Sequence, residues 1–526
     1  MAAPIRTTAR RLALAVLLSS AAPAVLAQAI PTAGAPPTGI SQEQLLALIG
    51  RLDAVERRND ELEQQILDLK AQGAAADQAI RDQVDATTVS LANGRPTIAS
   101  GDGRFTASLR GIVQLDATRY DQRGPGPAAS DFRRGSLGDA TEAERARDLA
   151  DGANFRRVRL GAEGKAFGDW AYNLMFDFGG SGAEEAGKIT NAYVEYAGLR
   201  LVRLRLGAFA PVTGFEDATS NTASLFPERA APAELVRGLA GGDGRTGAAI
   251  LAGGERWTLA GYVTGNTIGV SSYDEQLGAI GRATYVPYRT PDSLVHLGAN
   301  ANLILNPAAT GPDVPPGGAA TPVRLRERPE LRVDGTRLVD TGSIDADGLS
   351  AYGVELGLQQ KAFSLQAEHF WIDVDRRTAG LDDPAFAGWY VQGAWTLTGQ
   401  PRRYNAASGG FDAPRVETPF DLGSGAWGVW ELAARYSDLD LDFRPGAPGW
   451  APVAGAVRGG RQKILTLGLN WYPNANVRFL ADYQRVEVDR LSPGGTAFGA
   501  GALTPPDGAQ VGQDLNIWSL RTQYAF

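Results

Sequence analysis

The segment LRTQYAF, residues 520–526, alternates apolar and polar side chains. One side carries Leu520, Thr522, Tyr524 and Phe526, and the other carries Arg521, Gln523 and Ala525. A period of two residues is that of a β-strand with two different faces. A strand that ends on a bare aromatic residue is unfavourable in water. It is favourable if the apolar face contacts lipid, so the segment indicates a membrane strand.

The same alternation recurs from Arg104 to the last residue. It predicts sixteen strands at 104–120, 154–167, 169–178, 188–197, 199–210, 245–253, 255–267, 276–287, 293–305, 349–361, 363–376, 387–399, 427–440, 461–472, 476–490 and 512–526. Most connections are alternately tight, as at Gly168, and long, as at 211–244 and 306–348. Such asymmetry and an even strand number are typical of outer-membrane barrels.

The predicted fold class is therefore an all-β membrane protein. A 16-stranded antiparallel transmembrane β-barrel is expected over residues 103–526, preceded by an α-helical coiled-coil segment. Closure of the barrel pairs every backbone group, as a bilayer requires. The connection 400–426 does not fit the scheme, because it is long on the side of the short turns.

The N-terminal region has the composition of a targeting signal. A basic stretch (MAAPIRTTARR) precedes an apolar one that ends in Val25-x-Ala27, a small-residue cleavage pattern. Residues 1–27 are predicted to be a signal peptide. A retained membrane helix is disfavoured because the apolar run is short and contains Pro23. A Pro/Gly-rich spacer follows over 28–39.

Residues 40–72 show a heptad pattern. Positions a fall at Leu45, Leu52, Asn59 and Ile66, and positions d at Leu48, Val55, Leu62 and Leu69. A single polar residue at a, here Asn59, is typical of coiled coils that fix their register. A self-associating stalk is predicted, and an amphipathic helix packed on its own domain is the alternative. A linker is expected over 73–102.

Composition excludes several functions. The chain has no cysteine and a net charge of −8, which excludes thiolate metal sites and disfavours a general polyanion binder. The GAEEAGK stretch (182–188) lacks the Ser/Thr of a P-loop, since Ile189 follows. Neither His296 nor His369 has a partner at a diagnostic spacing. We expect no catalytic residue, metal, cofactor or nucleic-acid partner, and hence no enzyme.

Arginine dominates the basic residues, because only five of the 51 are lysine. Arg157 and Arg159 share a face in the second strand, opposite Val158 and Leu160, so both are predicted to face the lumen. Arg156 then lies at the rim unless a bulge turns it inward. The same alternation places further candidates at Arg203, Arg205, Arg324, Arg326 and Arg328. Such rows suit an anion that must exchange part of its water shell for charged donors.

Several segments together resemble the phosphate-selective porins O and P. They are FRRVRLGAEGKAFGDWAYNLMFDFG (155–179), NAYVEY (191–196), LRLGAFAPVTGFEDATSNTASLFPERAAPAELV (204–236), RERPELRVDG and RLVDTG (326–342), WELAARYSDLDL (430–441) and the QYAF end. The resemblance covers roughly 95–526. It implies a trimer of anion channels in the outer membrane of a Gram-negative bacterium. It also implies that loop 211–244 forms the constriction, that Arg156 and Arg157 belong to the binding site, and that 324–328 form an arginine ladder.

The predicted function is diffusion of phosphate, polyphosphate or other anions through a barrel embedded in outer-membrane lipid. In the constriction loop, Glu216, Asp217 and Glu228 could oppose the arginines, with Arg229 adjoining, and give an unselective porin instead. A third alternative is a structural barrel that anchors a periplasmic stalk, three-stranded if the barrel is a trimer, and brings it into contact with the cell wall.

Overall fold

The computed structural model describes residues 41–122, 149–180, 187–312, 318–494 and 507–526. The predicted signal peptide (1–27), the spacer (28–39) and most of the GAEEAGK stretch lie outside these residues. The chain divides into two units, Met1–Arg81 and Asp82–Phe526. The described part of the first unit belongs to one long helix, and the second unit contains the last turn of that helix and the barrel.

The helix of the first unit, α1, spans Gln42–Asp85. The helical prediction for 40–72 is confirmed, but the boundary at 72 is wrong. Residues 71–80 (AQGAAADQAI) continue the helix, because alanine favours it and Gly73 alone costs only about 1 kcal/mol. The side chains from Ser41 to Asp82 are all exposed. No described helix is long and apolar enough to cross a membrane.

The predicted linker (73–102) is also structured in its second half. Thr87–Ser90 and Thr97–Ser100 form an antiparallel hairpin. Its second strand pairs with the first barrel strand. β-branched residues in TTVS and TIAS favour this extended conformation. The barrel unit therefore begins before residue 103.

The sixteen predicted barrel strands are all present. They are named β1 to β16 in chain order: Thr106–Gln122, Gly152–Ala166, Trp170–Asp177, Lys188–Tyr196, Val202–Phe209, Arg245–Gly253, Trp257–Thr267, Leu277–Arg289, Ser293–Asn306, Ile344–Gln360, Phe363–Arg376, Ala385–Thr396, Val429–Phe443, Val457–Tyr472, Val477–Asp489 and Asp514–Ala525. Each pairs antiparallel with its neighbours, and β16 pairs with β1. The sheet is thus a closed barrel. The largest displacement of a boundary is at β10, which begins at Ile344 rather than residue 349.

The two faces of β16 differ as the alternation predicts. Leu520 is 61% exposed on the outside, whereas Arg521 is 2% exposed on the inside. Arg521 lies directly opposite Asp116 of β1 and donates two hydrogen bonds of 2.6 Å to its carboxylate. The seam of the barrel is therefore closed by a bidentate ion pair as well as by backbone hydrogen bonds.

Part of the barrel interior is an apolar core, which the sequence did not predict. Ile464, Val486 and Ile517 of β14–β16 point inward and are fully buried. They pack in one cluster with Leu325 and Leu338 of the segment 318–343, which folds into the lumen. The cluster draws its wall residues from β9–β16 and from Tyr120 of β1. This side of the lumen is consequently filled, and any passage must run along the other side.

Candidate functional site

Loop 211–244 lies inside the barrel and carries two helices, α2 (Phe215–Ala218) and α3 (Ala231–Ala240). Wall side chains hold its backbone. The N–H groups of Phe215 and Glu216 donate to the Glu368 carboxylate at 2.7 and 3.0 Å. Farther round the wall, Arg478 of β15 and Asn470 of β14 donate to the carbonyl of Leu225 at 3.3 and 3.1 Å. The predicted inward loop is therefore present, and its first half is fastened to the wall at two points.

Arg156 and Arg157 both point into the lumen. The pairing of β1 with β2 shifts between Gln114 and Leu115, which places Arg156 in a bulge. Arg156 donates to Glu228 at 2.7 and 3.1 Å. Arg157 donates to the side chain of Gln114 at 2.7 Å and lies 3.7 Å from Glu228. Of the two positions that the sequence left open for Arg156, the backbone adopts the one in the bulge.

Glu228 is the point where four arginines meet. Besides Arg156 and Arg157, its carboxylate contacts Arg521 at 3.1 Å and Arg332 at 3.5 Å. Burial alone would raise the pKa of Glu228, but the four guanidinium charges outweigh it and hold that pKa well below its ordinary value. Glu228 therefore remains ionised and ties the loop to β2, β16 and the segment 318–343.

The contacts at Glu228 continue as an unbroken series of ion pairs, here called the ion-pair chain. Its arginines are Arg156, Arg157, Arg159, Arg229, Arg237, Arg332 and Arg521, and its carboxylates are Asp116, Asp177, Asp217, Glu228, Glu234 and Asp243. Positive and negative side chains alternate along it. Seven arginines against six carboxylates leave one formal positive charge, so most of the arginine charge is neutralised.

Arg159 occupies the far end of the ion-pair chain. It donates to Asp177 at 2.7 Å and to Asp243, at the end of the loop, at 2.5 Å. Asp217, on the loop, accepts from Arg237 at 2.6 Å and lies 3.2 Å from Arg229. The structure thus places four of the candidate site residues, Arg159, Asp217, Glu228 and Arg229, in one ion-pair chain.

Four other predicted arginines lie away from the ion-pair chain. Arg203 and Arg205 bond to Glu195 near the short turn after β4. Arg324 is exposed and bonds to Asp340, and Arg326 is exposed nearby. These residues do not join the ion-pair chain.

Two further predicted residues are buried apart from the ion-pair chain. Arg328 is buried and donates to the carbonyl of Gly335 at 3.2 Å. Glu216 accepts from Arg435 at 3.2 Å, and burial raises the pKa of Glu216 to about 7.

The exceptional connection 400–426 also enters the lumen. Arg402–Asn405 and Gly410–Pro414 form a hairpin, here called the turn-side hairpin. The Tyr404 hydroxyl lies 2.8 Å from His296 Nδ1. Arg282 donates to the carbonyls of Ser408 and Gly409 at 2.6 and 2.8 Å. Since its residues enter from the short-turn end, the hairpin meets loop 211–244 inside the barrel, where Phe411 packs on Phe215 at 5.3 Å between ring centroids.

A cavity of about 300 Å³ remains between β1–β4, loop 211–244 and the turn-side hairpin. Its charged lining residues are Arg110, Arg159, Arg229, Arg237, Asp217, Asp243 and Asp412. The site prediction missed Arg110, Arg237, Asp243 and Asp412. The sequence could have identified Arg110 as lumen-facing, because it alternates with the outward Leu109 in β1. The described residues contain no group of His, Cys, Asp and Glu arranged to hold a metal ion.

The model of the family Phosphate-selective porin O and P matches residues 131–526. The chain belongs to this family. Its sixteen-stranded closed barrel and family membership make it a porin of the outer membrane.

Individual proteins are similar to this chain at low sequence identity. Porin O of Pseudomonas aeruginosa is 26% identical over 410 residues, which cover 75% of this chain and 86% of that one. An uncharacterized protein of Caulobacter vibrioides is 28% identical over 411 residues, covering 76% and 72%. Among solved structures, OmpT of Vibrio cholerae superposes with a TM-score of 0.45 at 11% identity, covering 80% of this chain and 98% of that one.

Proposed function

We propose that the barrel is a diffusion channel with a preference for small anions, phosphate and polyphosphate included. The observation that carries this proposal is the lining of the cavity beside loop 211–244. Four arginines and three aspartates surround it, an excess of one formal positive charge. Arginine is always charged and binds phosphate or carboxylate through paired N–H groups, which lysine does not. The family description adds phosphate as the leading candidate.

The predicted arginines then have different tasks. Arg159 and Arg229 line the cavity and contact the anion. Arg156 and Arg157 are bound to Glu228 and position the loop. The exposed Arg326 attracts anions at the mouth on the long-loop side, while Arg203 and Arg205 lie along the exit on the short-turn side. The channel then has one constriction, with arginines along the approach to it from each end of the barrel.

Substitution of Arg110 tests the constriction. Arg110→Gln should weaken the block of chloride current by phosphate about three- to tenfold, because a half-exposed, charge-assisted hydrogen bond is lost. The measurement is single-channel current in planar bilayers with phosphate added to one side.

Arg203→Gln is the matched control for this substitution. Arg110 and Arg203 have side chains 38% and 39% exposed, and each lies within 3.1–3.2 Å of one glutamate. Only Arg110 lines the cavity. Equal effects of the two substitutions would contradict the constriction assigned here. A wild-type channel that passes K⁺ as readily as Cl⁻, without block by phosphate, would establish the unselective porin instead.

We also propose that α1 is a periplasmic coiled coil that joins three copies of the chain and reaches toward the cell wall. Its a and d side chains are exposed, with Leu45 at 48%, Leu48 at 63% and Leu52 at 59%. A stripe of this kind is stable in water when other helices cover it. At 44 residues, α1 would reach about 66 Å from end to end.

A peptide of residues 41–86 should therefore form a helical oligomer. Asn59→Leu should raise its thermal stability and broaden the distribution of oligomer sizes, because a buried asparagine at a fixes register at a cost in stability. Circular dichroism and analytical ultracentrifugation measure both quantities. A peptide that stays monomeric and unfolded at high concentration would rule out the stalk.

A further inference from the structure

The cavity is lined by hydrogen-bond acceptors as well as by arginine donors. Asp217 and Asp243 lie in the same lining as the arginines, and Asp412 of the turn-side hairpin lies among them. Neutral groups that both donate and accept hydrogen bonds make up much of the remaining lining: Asn173, Asn191, Asn221, Asn405, Thr190, Thr219, Ser220 and Ser408. Carboxylates and amide oxygens are acceptors, and the only donors that inorganic phosphate offers them are its own P–OH protons.

Some arginine donors remain for a ligand. Arg159 uses Nε and Nη2 for Asp177 and Asp243, which leaves Nη1. Arg110 contacts Glu163 through Nη1 only, at 3.1 Å. Two guanidinium groups on neighbouring strands can thus bind one phosphate group. Across the cavity, the Asp412 side chain is 33% exposed. Its Oδ2 lies 2.7 Å from Arg403 and its Oδ1 accepts from the Ala413 N–H at 2.8 Å, and each oxygen keeps a second lone pair for a ligand.

The volume of the cavity also favours a ligand larger than inorganic phosphate. A volume of about 300 Å³ corresponds to roughly ten waters, at about 30 Å³ for each. Inorganic phosphate bound at Arg110 and Arg159 would leave much of this volume to water. A ligand with hydroxyl groups beside its phosphate would fill more of it and donate to the carboxylate and amide oxygens.

We propose that this constriction recognises hydroxylated phosphate monoesters, of the size of a glycerol or small sugar phosphate, in preference to bare phosphate. The inference rests on the proposed anion channel and specifies its ligand class. Arg110 and Arg159 bind the phosphate group. Asp412 and the amide and hydroxyl side chains accept from, and donate to, the hydroxyl groups. No bond is made or broken, and the ligand leaves unchanged.

Three probes test the proposal on the full-length protein in planar bilayers. Glycerol phosphate and propyl phosphate carry the same phosphate group and the same number of carbons, and they differ in two hydroxyl groups. Inorganic phosphate is the third probe. Glycerol phosphate should block the chloride current at a concentration at least about fourfold lower than propyl phosphate, because each of the two hydroxyl groups adds a hydrogen bond worth a factor of about two to ten.

Asp412→Ala gives an independent test. The substitution removes an acceptor and a negative charge together. Block by glycerol phosphate should weaken severalfold, and block by propyl phosphate should strengthen, because repulsion falls. Opposite changes for two ligands of equal charge cannot arise from a general disturbance of the barrel. Glu417→Ala is the matched control, since Glu417 is exposed on the same connection and does not line the cavity.

The outcomes separate the two proposals. If propyl and glycerol phosphate block equally, or if inorganic phosphate blocks best, the anion channel stands and the inference about its ligand is wrong. If glycerol phosphate does not block, the inference is wrong whatever the other probes do. If no phosphate blocks and the current shows no preference for anions, the proposed function itself fails.

Discussion

Glu228→Gln should change both the stability of the constriction and the selectivity of the pore more than any other single substitution. It removes the carboxylate that Arg156, Arg157, Arg332 and Arg521 share. Breaking a buried ion pair by removing one partner costs about 3–5 kcal/mol, because the remaining charge is left uncompensated. At the same time, the formal charge of the ion-pair chain rises by one unit. We expect a lower unfolding temperature and a marked rise in the permeability of Cl⁻ relative to K⁺.

Two measurements check this expectation. The temperature at which the unboiled protein loses its compact mobility on gels reports stability, and the reversal potential in a KCl gradient reports selectivity. Glu417→Gln removes the same charge from an exposed position and should alter neither quantity. If Glu228→Gln leaves the reversal potential unchanged, the ion-pair chain does not contribute to the field in the pore.

Arg521→Ala should impair closure of the barrel. Arg521 joins β16 to β1 through its paired contacts with Asp116, and it also reaches Glu228. Its loss leaves a buried carboxylate at the seam, with a cost again of about 3–5 kcal/mol. We expect much less folded barrel in the outer membrane and a lower unfolding temperature in what does assemble.

The control for Arg521→Ala is Arg485→Ala. Arg485 lies on the adjacent strand β15 and pairs with Glu487 at 2.9 Å, but both side chains are more than 40% exposed. Exposed pairs contribute 0–1 kcal/mol, so barrel levels should be nearly normal. In Arg521→Ala, a second substitution of Asp116 by Asn should restore part of the loss, since it removes the uncompensated charge. Independent, additive effects of the two substitutions would show that the ion pair does not close the seam.

The alternation of side chains was sufficient to predict every barrel strand, because lipid outside and polar side chains inside impose a period of two on each of them. The alternation was not sufficient to predict which side chains fill the lumen. Ile464, Val486 and Ile517 occupy inward positions where polar residues were expected, and no pattern within a strand shows that a distant segment will cover them. The core they form depends on contacts with residues 318–343, which are far away in the sequence.

The candidate site was predicted in part for the same reason. Arg159 was predicted from alternation, and Asp217, Glu228 and Arg229 from the family resemblance, which implied an inward loop; all four lie in the ion-pair chain. The orientation of Arg156 depended on a single bulged residue, whose occurrence the local sequence does not reveal. Asp412 was missed because an overlong turn gives no sign that it folds into the barrel, although its length was anomalous.

The ion-pair chain has a mechanical consequence. It links β1, β2, β3 and β16 to the constriction loop and to the segment 318–343, and breaking it at one pair leaves the others intact. A loop fastened in this way cannot swing aside as a flap, because several buried pairs would have to open together. The aperture beside it therefore has a constant bore on the timescale of ion passage. The turn-side hairpin is held in a similar way, because Arg402 donates to the buried carboxylate of Glu431 in β13 at 2.9 Å.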